Sequence, residues 1–253
     1  MTNLPTDNKP ELTLIIPVYE EEHNIVPFIE EVRKNISPSY IALIIFDHNH
    51  DSTLKKLHEL TDNKTNIRFV KNMYGTGVIN AFKTGFALAK TKYIVPIMAD
   101  LSDMPETVNI MHTIIRQGYD LVIASRYVKD GAKIGGARIK NFLSALANKS
   151  LNFLTRIPTH DFTNAFIMYK KTVLDNIEIQ STGGFEITME IIAKAYMLDY
   201  SITEVPTINR DRAAGKSKFA LWKWIYKYLY WYFFILLCSV RKRFQIFRNL
   251  DHI

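Results

Sequence analysis

The sequence predicts an α/β fold, a mostly parallel central sheet flanked by helices. Short, nearly unbroken apolar runs alternate with segments whose apolar residues recur every three or four positions. The runs are apolar on both faces, as strands must be when helices cover both sides of a parallel sheet. Several end in a loop bearing an acid or an arginine, and in such sheets ligands sit beyond the carboxyl ends of the strands.

The elements follow in order. LTLIIPVY (12–19) reads as a buried strand, and EEEHNIVPFIEEVRKNI (20–36) as a helix with Ile25, Phe28, Ile29, Val32 and Ile36 on one face. IALIIFD (41–47) is a second strand closed by Asp47, STLKKLHELT (52–61) a short helix, and IRFVKN (67–72) a third strand. GTGVINAFKTGFALAK (75–90) opens on glycines and becomes helical. YIVPIMAD (93–100) is the fourth strand and runs into Asp100 and Asp103. PETVNIMHTIIRQG (105–118) is a helix with proline in its first turn and Gly118 at its end. DLVIASRY (120–127) is a fifth strand, with Arg126 near its end. A polar, glycine-bearing segment from 131 precedes a helical one to 156. A strand and helix start lie in 162–174, a helix in 183–198 and a strand in SITEVP (201–206).

The 253 residues allow one large domain, here 11–218, after a polar tail at 1–10. That tail has no apolar core, so it is not a secretory leader, and the chain is expected in the cytosol. The single cysteine, Cys238, excludes an internal disulfide and a cysteine zinc cluster. The histidines show no metal-ligand spacing, and Gly75–Thr76–Gly77 lacks the third glycine and the first-strand position of a dinucleotide fingerprint.

The net charge of +7 belongs to the tail: after Pro206, ten Lys/Arg stand against two Asp/Glu. FALWKWIYKYLYWYFFILLC (219–238) is broken only by Lys223 and Lys227, and RKRF follows at 241–244. Tyr and Trp favour the headgroup zone, and the two lysines, four apart, share one helical face and can snorkel. Segment 219–253 is therefore read as an amphipathic helix lying on a membrane surface with anionic lipids. A transmembrane span, a helix packed on the main domain and a contact between copies are its alternatives. Basic residues flanking an aromatic apolar segment argue against nucleic acid.

The ordered motifs IIPVYEEEHNI, FDHNHDST, NMYGTGVINAFKTGFALAK, MADLSDMPE, ASRY, GGFEITMEI, ITEVP and RDRAAGKSKF resemble the family 2 glycosyltransferases, in particular their polyprenyl-phosphate sugar synthases. The resemblance covers roughly residues 12–218. It implies a GT-A-type nucleotide-sugar fold and an inverting transfer from a GDP- or UDP-hexose to a dolichyl or undecaprenyl phosphate at the cytoplasmic membrane face. Carried over, Pro17, Tyr19 and Glu21 line the base and ribose pocket, Asp47 touches the nucleoside, and Asp100 holds Mg²⁺ or Mn²⁺ on the diphosphate with help from Ser102. Arg126, Arg138, Arg212, Lys216, Ser217 and Lys218 meet phosphates. Glu190 orients a sugar hydroxyl or a basic side chain.

Two departures stand out. The family's Asp-Ala-Asp is Met98-Ala99-Asp100 here, and methionine is a poor partner for an ion that prefers oxygen. The family's Asp-Asp-Gly-Ser-x-Asp is Phe46-Asp47-His48-Asn49-His50-Asp51. They motivate two rival readings: transfer to a saccharide or lipid hydroxyl, and a non-catalytic nucleotide- or partner-binding chain. A phosphate acceptor needs no general base, because its second pKa is about 6 and it is largely dianionic at neutral pH.

Overall fold

The computed structural model describes residues 9–59, 66–212 and 221–250. Its elements run β1 (Leu12–Val18), α1 (Ile25–Asn35), β2 (Tyr40–Phe46), α2 (Ser52–Glu59), β3 (Ile67–Lys71), α3 (Val78–Leu88), β4 (Tyr93–Pro96), α4 (Thr107–Ile115), β5 (Leu121–Ser125), β6 (Ala132–Ile134), α5 (Arg138–Thr155), β7 (Ile167–Lys170), α6 (Lys171–Asp175), α7 (Ile187–Met197), β8 (Ile202–Pro206), β9 (Ile208–Arg210) and α8 (Leu221–Leu250). The main sheet has the order β3-β2-β1-β4-β7-β5-β8, and β6 pairs with β9 in a small second sheet. All pairings are parallel except those of β7, which is antiparallel to both β4 and β5.

This order positions the site. From β1 the chain builds outward to β2 and β3, then returns to place β4 on β1's other side, with Leu12 opposite both Tyr40 and Tyr93. The strand order reverses between β1 and β4, and a crevice opens where the loops after the two strands diverge. Tyr19 and Glu21 follow β1, and Asp100 follows β4.

Alternation along the strands feeds two cores. Leu12, Leu14, Ile16 and Val18 pack with Phe28, Val32, Val108 and Met111 from α1 and α4. Ile15, Leu43, Ile45 and Ile94 pack on the other side with Phe82, Phe86, Ile187 and Ile191 from α3 and α7. Each fully buried Leu, Ile or Phe contributes about 1.5–3 kcal/mol. Helix α3 comes so close to β1 that a Cβ at Gly85 would lie 2.6 Å from Ile15 Cγ2.

Helix α8 also belongs to the core. Trp231, Ile235 and Cys238 are buried in the α3/α7 cluster, Tyr232 Oη and Ser150 Oγ are 2.9 Å apart, and Ser239 Oγ donates to the Thr155 carbonyl at 3.0 Å. Its other face stays exposed at Tyr226, Leu229, Tyr230, Phe233, Leu237, Val240 and Phe244. Beside it, α5 exposes Ile139, Phe142, Leu146 and Phe153, the last at 80%. Among the described residues, no helix is long and apolar enough to cross a membrane.

Candidate active site

Two cavities meet at the carboxyl ends of β1 and β4. The first, about 630 Å³, is lined by Pro17, Tyr19, Glu21, Asp47, His48, Thr76, Gly77, Met98, Asp100, Gly183, Gly184, Arg210 and Arg212, among others. The second, about 570 Å³, lies between the sheet, α5 and α8. They share Met98, Asp100, Ser102, Phe185 and Asn209. Both volumes suit small-molecule ligands.

The first cavity gathers the residues expected around a nucleotide. Asp51, at the start of α2, accepts the Glu20 amide with both oxygens at 3.2 Å, and Thr53 Oγ1 accepts the Glu21 amide at 2.9 Å, fixing the β1 loop. Glu21 does more than line the pocket: its Oε1 takes a 2.5 Å hydrogen bond from Arg212 Nη2 and its Oε2 a 2.6 Å bond from Asn24. Asp47 faces the cavity, but its oxygens also accept from Asn72 Nδ2 at 2.9 Å and the Gly77 amide at 2.8 Å. Gly77 caps α3 with φ 98°, a conformation that would strain a residue with a side chain.

Asp100 sits where the two cavities join. Its Oδ1 accepts the Ser102 amide at 3.1 Å, and its Oδ2 lies 3.7 Å from Arg212 Nη2. Burial, with the Asp100 charge next in weight, pushes the neighbouring Asp103 carboxyl up to about 6, against a hydrogen bond from Asn209. Among the described residues, no cluster of three or more His, Cys, Asp or Glu could hold an ion. Met98 faces the same cavity with only a thioether. The donor set fits a hard divalent ion held by Asp100 and Ser102 only if diphosphate oxygens and water complete its shell, a mixed arrangement usual for Mg²⁺.

The second cavity is cationic near Asp100 and apolar beyond. Arg126, Lys133 and Lys140 line it near the shared wall, and Leu143, Leu146 and Ala147 of α5 face Ile225, Leu229 and Phe233 of α8. Arg126 is held from behind: Nε and Nη2 donate to the two oxygens of the fully buried Asp161 at 2.7 and 2.8 Å, and Nη2 also reaches Thr163 Oγ1 at 2.9 Å. Burial disfavours the guanidinium charge, but Asp161 outweighs it and raises the pKa. Burial, reinforced by the Arg126 charge, lowers the Lys133 ammonium to about 8.

Some expectations need correction. Arg138, the first residue of α5, is exposed and lines neither cavity; Lys133 and Lys140 stand on the wall instead. Glu190 also lines neither. It is fully buried and accepts from the Gln180 and Ser181 amides, Ser181 Oγ and Lys194 Nζ at 2.5–2.8 Å, so it orients a basic side chain and a loop, not a sugar hydroxyl. Lys216, Ser217 and Lys218 lie outside the described residues. Asp161, Thr163, Lys133 and Lys140 were missed. The acid in HDFTNAF and the lysines after ASRY were visible, but only the antiparallel pairing of β7 with β5 brings Asp161 to Arg126.

Comparisons with known proteins bear on the family and the fold. Residues 13–178 match the model of Glycosyl transferase family 2. The chain is 29% identical over 229 residues to a dolichol-phosphate mannosyltransferase of Pyrococcus furiosus, a match covering 87% of this chain and 62% of the relative. It is 26% identical to a polyprenol monophosphomannose synthase of Mycolicibacterium smegmatis, covering 81% of this chain and 79% of the relative. The chain thus spans under two thirds of the archaeal relative's length. Among solved structures, a glucosyl-3-phosphoglycerate synthase of Mycobacterium tuberculosis, crystallised with Mn²⁺, uridine diphosphate and phosphoglyceric acid, shares the fold at TM-score 0.67 and 14% identity, covering 91% of this chain and 78% of that one. A crystal of the same enzyme with Mg²⁺ and uridine diphosphate superposes at TM-score 0.61, with 14% identity and 82% and 72% coverage. With the family model spanning well over half its length, the chain belongs to glycosyl transferase family 2.

Proposed function

We propose that this chain is an inverting glycosyltransferase that moves a sugar from a GDP- or UDP-linked donor to a polyprenyl phosphate at the cytoplasmic face of a membrane. The observation that carries this reading is the pair of joined cavities, one bearing Glu21, Asp47, Asp100, Arg210 and Arg212 on its wall, the other bearing Arg126, Lys133 and Lys140 together with apolar residues of α5 and α8. A nucleoside diphosphate suits the first. A phosphate on a long hydrocarbon chain suits the second, with its head against Arg126, Lys133 and Lys140 and its chain along the α5 and α8 wall.

The phosphate oxygen attacks the anomeric carbon on the side opposite the diphosphate. The new C–O bond forms as the old one breaks, the bonding pair leaves with the nucleoside diphosphate, and the configuration inverts. No proton need be removed, because the phosphate monoester is already dianionic. Glu186 and Glu190 are consistent with this: Glu186 is fully buried and accepts the Gly183 and Gly184 amides at 2.6 Å each, and Glu190 is occupied as described. Asp100 and Ser102 would hold Mg²⁺ or Mn²⁺ beside the diphosphate; when bound, the ion offsets the charge of the leaving group. Arg212 supplies a fixed cation on the same edge.

The exposed apolar faces of α5 and α8, with Arg241 and Arg243 beside them, suit the headgroup layer, which would place the acceptor's phosphate at the depth of the second cavity. The test is transfer from radiolabelled GDP- or UDP-sugar to undecaprenyl or dolichyl phosphate in detergent. The expected product extracts with lipid and is labile to mild acid. Label passing instead to free polyprenol or a saccharide, in an acid-stable bond, would overturn the reading.

A further inference from the structure

One guanidinium joins two acids on the wall of the first cavity. Arg212 Nη2 lies 2.5 Å from Glu21 Oε1 and 3.7 Å from Asp100 Oδ2, and none of the three side chains is more than 19% exposed. The same nitrogen faces both carboxylates, so a cation already stands between them. The surrounding bonds hold all three in place. Asn24 donates to the other Glu21 oxygen at 2.6 Å, and the Ser102 amide donates to the other Asp100 oxygen at 3.1 Å. Arg212 follows β9, which is tied to the Asp100 loop: the Ser102 carbonyl accepts the Arg210 amide at 2.9 Å and Asn209 Nδ2 at 3.1 Å.

Charge sets the consequence. Two carboxylates and one guanidinium leave a net charge of −1. A divalent ion approaching Asp100 alone meets a guanidinium beside the oxygen it needs, and a thioether at Met98 where it needs another oxygen. A diphosphate changes both conditions. Its oxygens can take the guanidinium as paired acceptors, the geometry arginine suits, and they supply the ligands that the protein does not.

Resting on the reading of the first cavity as the donor's, we infer that Arg212 keeps the ion's seat at Asp100 until a donor arrives. Its guanidinium then passes from Glu21 and Asp100 to the diphosphate, and the divalent ion enters with the donor and not before it. Ion and nucleotide thereby raise each other's affinity by the same factor.

The test uses the full chain with MnCl₂, followed by the paramagnetic resonance of the free ion, and with UDP and GDP, followed by calorimetry in MnCl₂ or in EDTA. Wild type is expected to show no saturable Mn²⁺ binding below about 1 mM when no nucleotide is present. The nucleotide it accepts should bind about tenfold or more tighter in MnCl₂ than in EDTA. Arg212→Met, which clears the guanidinium from both acids, should bind Mn²⁺ alone about tenfold or more tighter than wild type, and adding Asp100→Asn should abolish that gain. Saturable wild-type binding of Mn²⁺ alone below about 1 mM, or a smaller gain in an Arg212→Met chain that melts cooperatively, overturns the inference and leaves the donor cavity intact. Should Arg212→Met not fold, the wild-type titrations decide by themselves. Failure of both UDP and GDP to bind in either buffer would instead sink the donor reading on which the inference rests.

Discussion

Asp161→Asn tests how the acceptor site is held. Asp161 is fully buried and gives both oxygens to Arg126, whose side chain is only 8% exposed, while also accepting the Thr163 and Asn164 amides. The substitution keeps the shape, removes the charge and turns an amide NH₂ toward a guanidinium. Removing one partner of a buried ion pair costs about 3–5 kcal/mol. For a chain of this size, each kcal/mol shifts the melting temperature by about 2–4 °C, so a fall of about 6–20 °C is expected. The acceptor KM should rise about tenfold or more as Arg126 loses its fixed orientation. The double variant Asp161→Asn/Arg126→Met should regain part of the stability, since no uncompensated charge remains and the amide oxygen can still accept the backbone amides that Asp161 held, yet stay defective toward acceptor. Calorimetric melting and acceptor titration measure both. Asp161→Asn melting within about 2 °C of wild type, with unchanged acceptor KM, would refute the assigned role.

Other outcomes follow from the same geometry. Lys133 is cationic below its pKa of about 8 and neutral above it, whereas the acceptor phosphate becomes dianionic above about pH 6. Acceptor kcat/KM should therefore peak between these values and fall as pH rises past 8, and Lys133→Met should remove that upper fall; a wild-type profile flat from pH 7 to 9 would contradict this. Asp100→Asn should lower kcat by about 10²–10³ with the melting temperature nearly unchanged, because it removes the carboxylate that would hold the divalent ion beside the leaving group and not a packed core residue; turnover within fivefold of wild type would contradict the assignment. Phe142→Ser with Phe153→Ser, both at exposed positions, should weaken flotation with anionic vesicles severalfold and leave the fold intact; unchanged flotation would remove α5 from the proposed membrane face.

Much of the sheet was legible because its parallel strands are buried on both faces and so appear as continuous apolar runs. Asp100 was legible for the same reason, standing where a run stops at the binding edge. The neighbour order was not. Nothing in FIMYK states that β7 enters antiparallel between β4 and β5, and without that insertion Arg126 and Asp161 are merely distant residues. Strands β6 and β9 are three residues each, too short for a period to register. Of the two roles expected of Glu190, holding a basic side chain stands and reaching a sugar hydroxyl does not, because the sequence shows α7 as a helix with one apolar face. In the fold α8 covers its other side as well, so Thr188, Met189 and Glu190 are all buried and the acid must find partners inside.

The placement of α8 bears on how the protein can be handled. Trp231, Ile235 and Cys238 plug the α3/α7 side of the sheet, while residues of the same helix face outward as aromatic and aliphatic relief. Cutting the chain before Leu221 to obtain a more tractable catalytic fragment would strip α7 of its cover and delete one bank of the second cavity. The helix is a structural rib, and under the proposed function it would also be the keel: the piece that closes the interior is the one that offers the molecule's aromatic outer face.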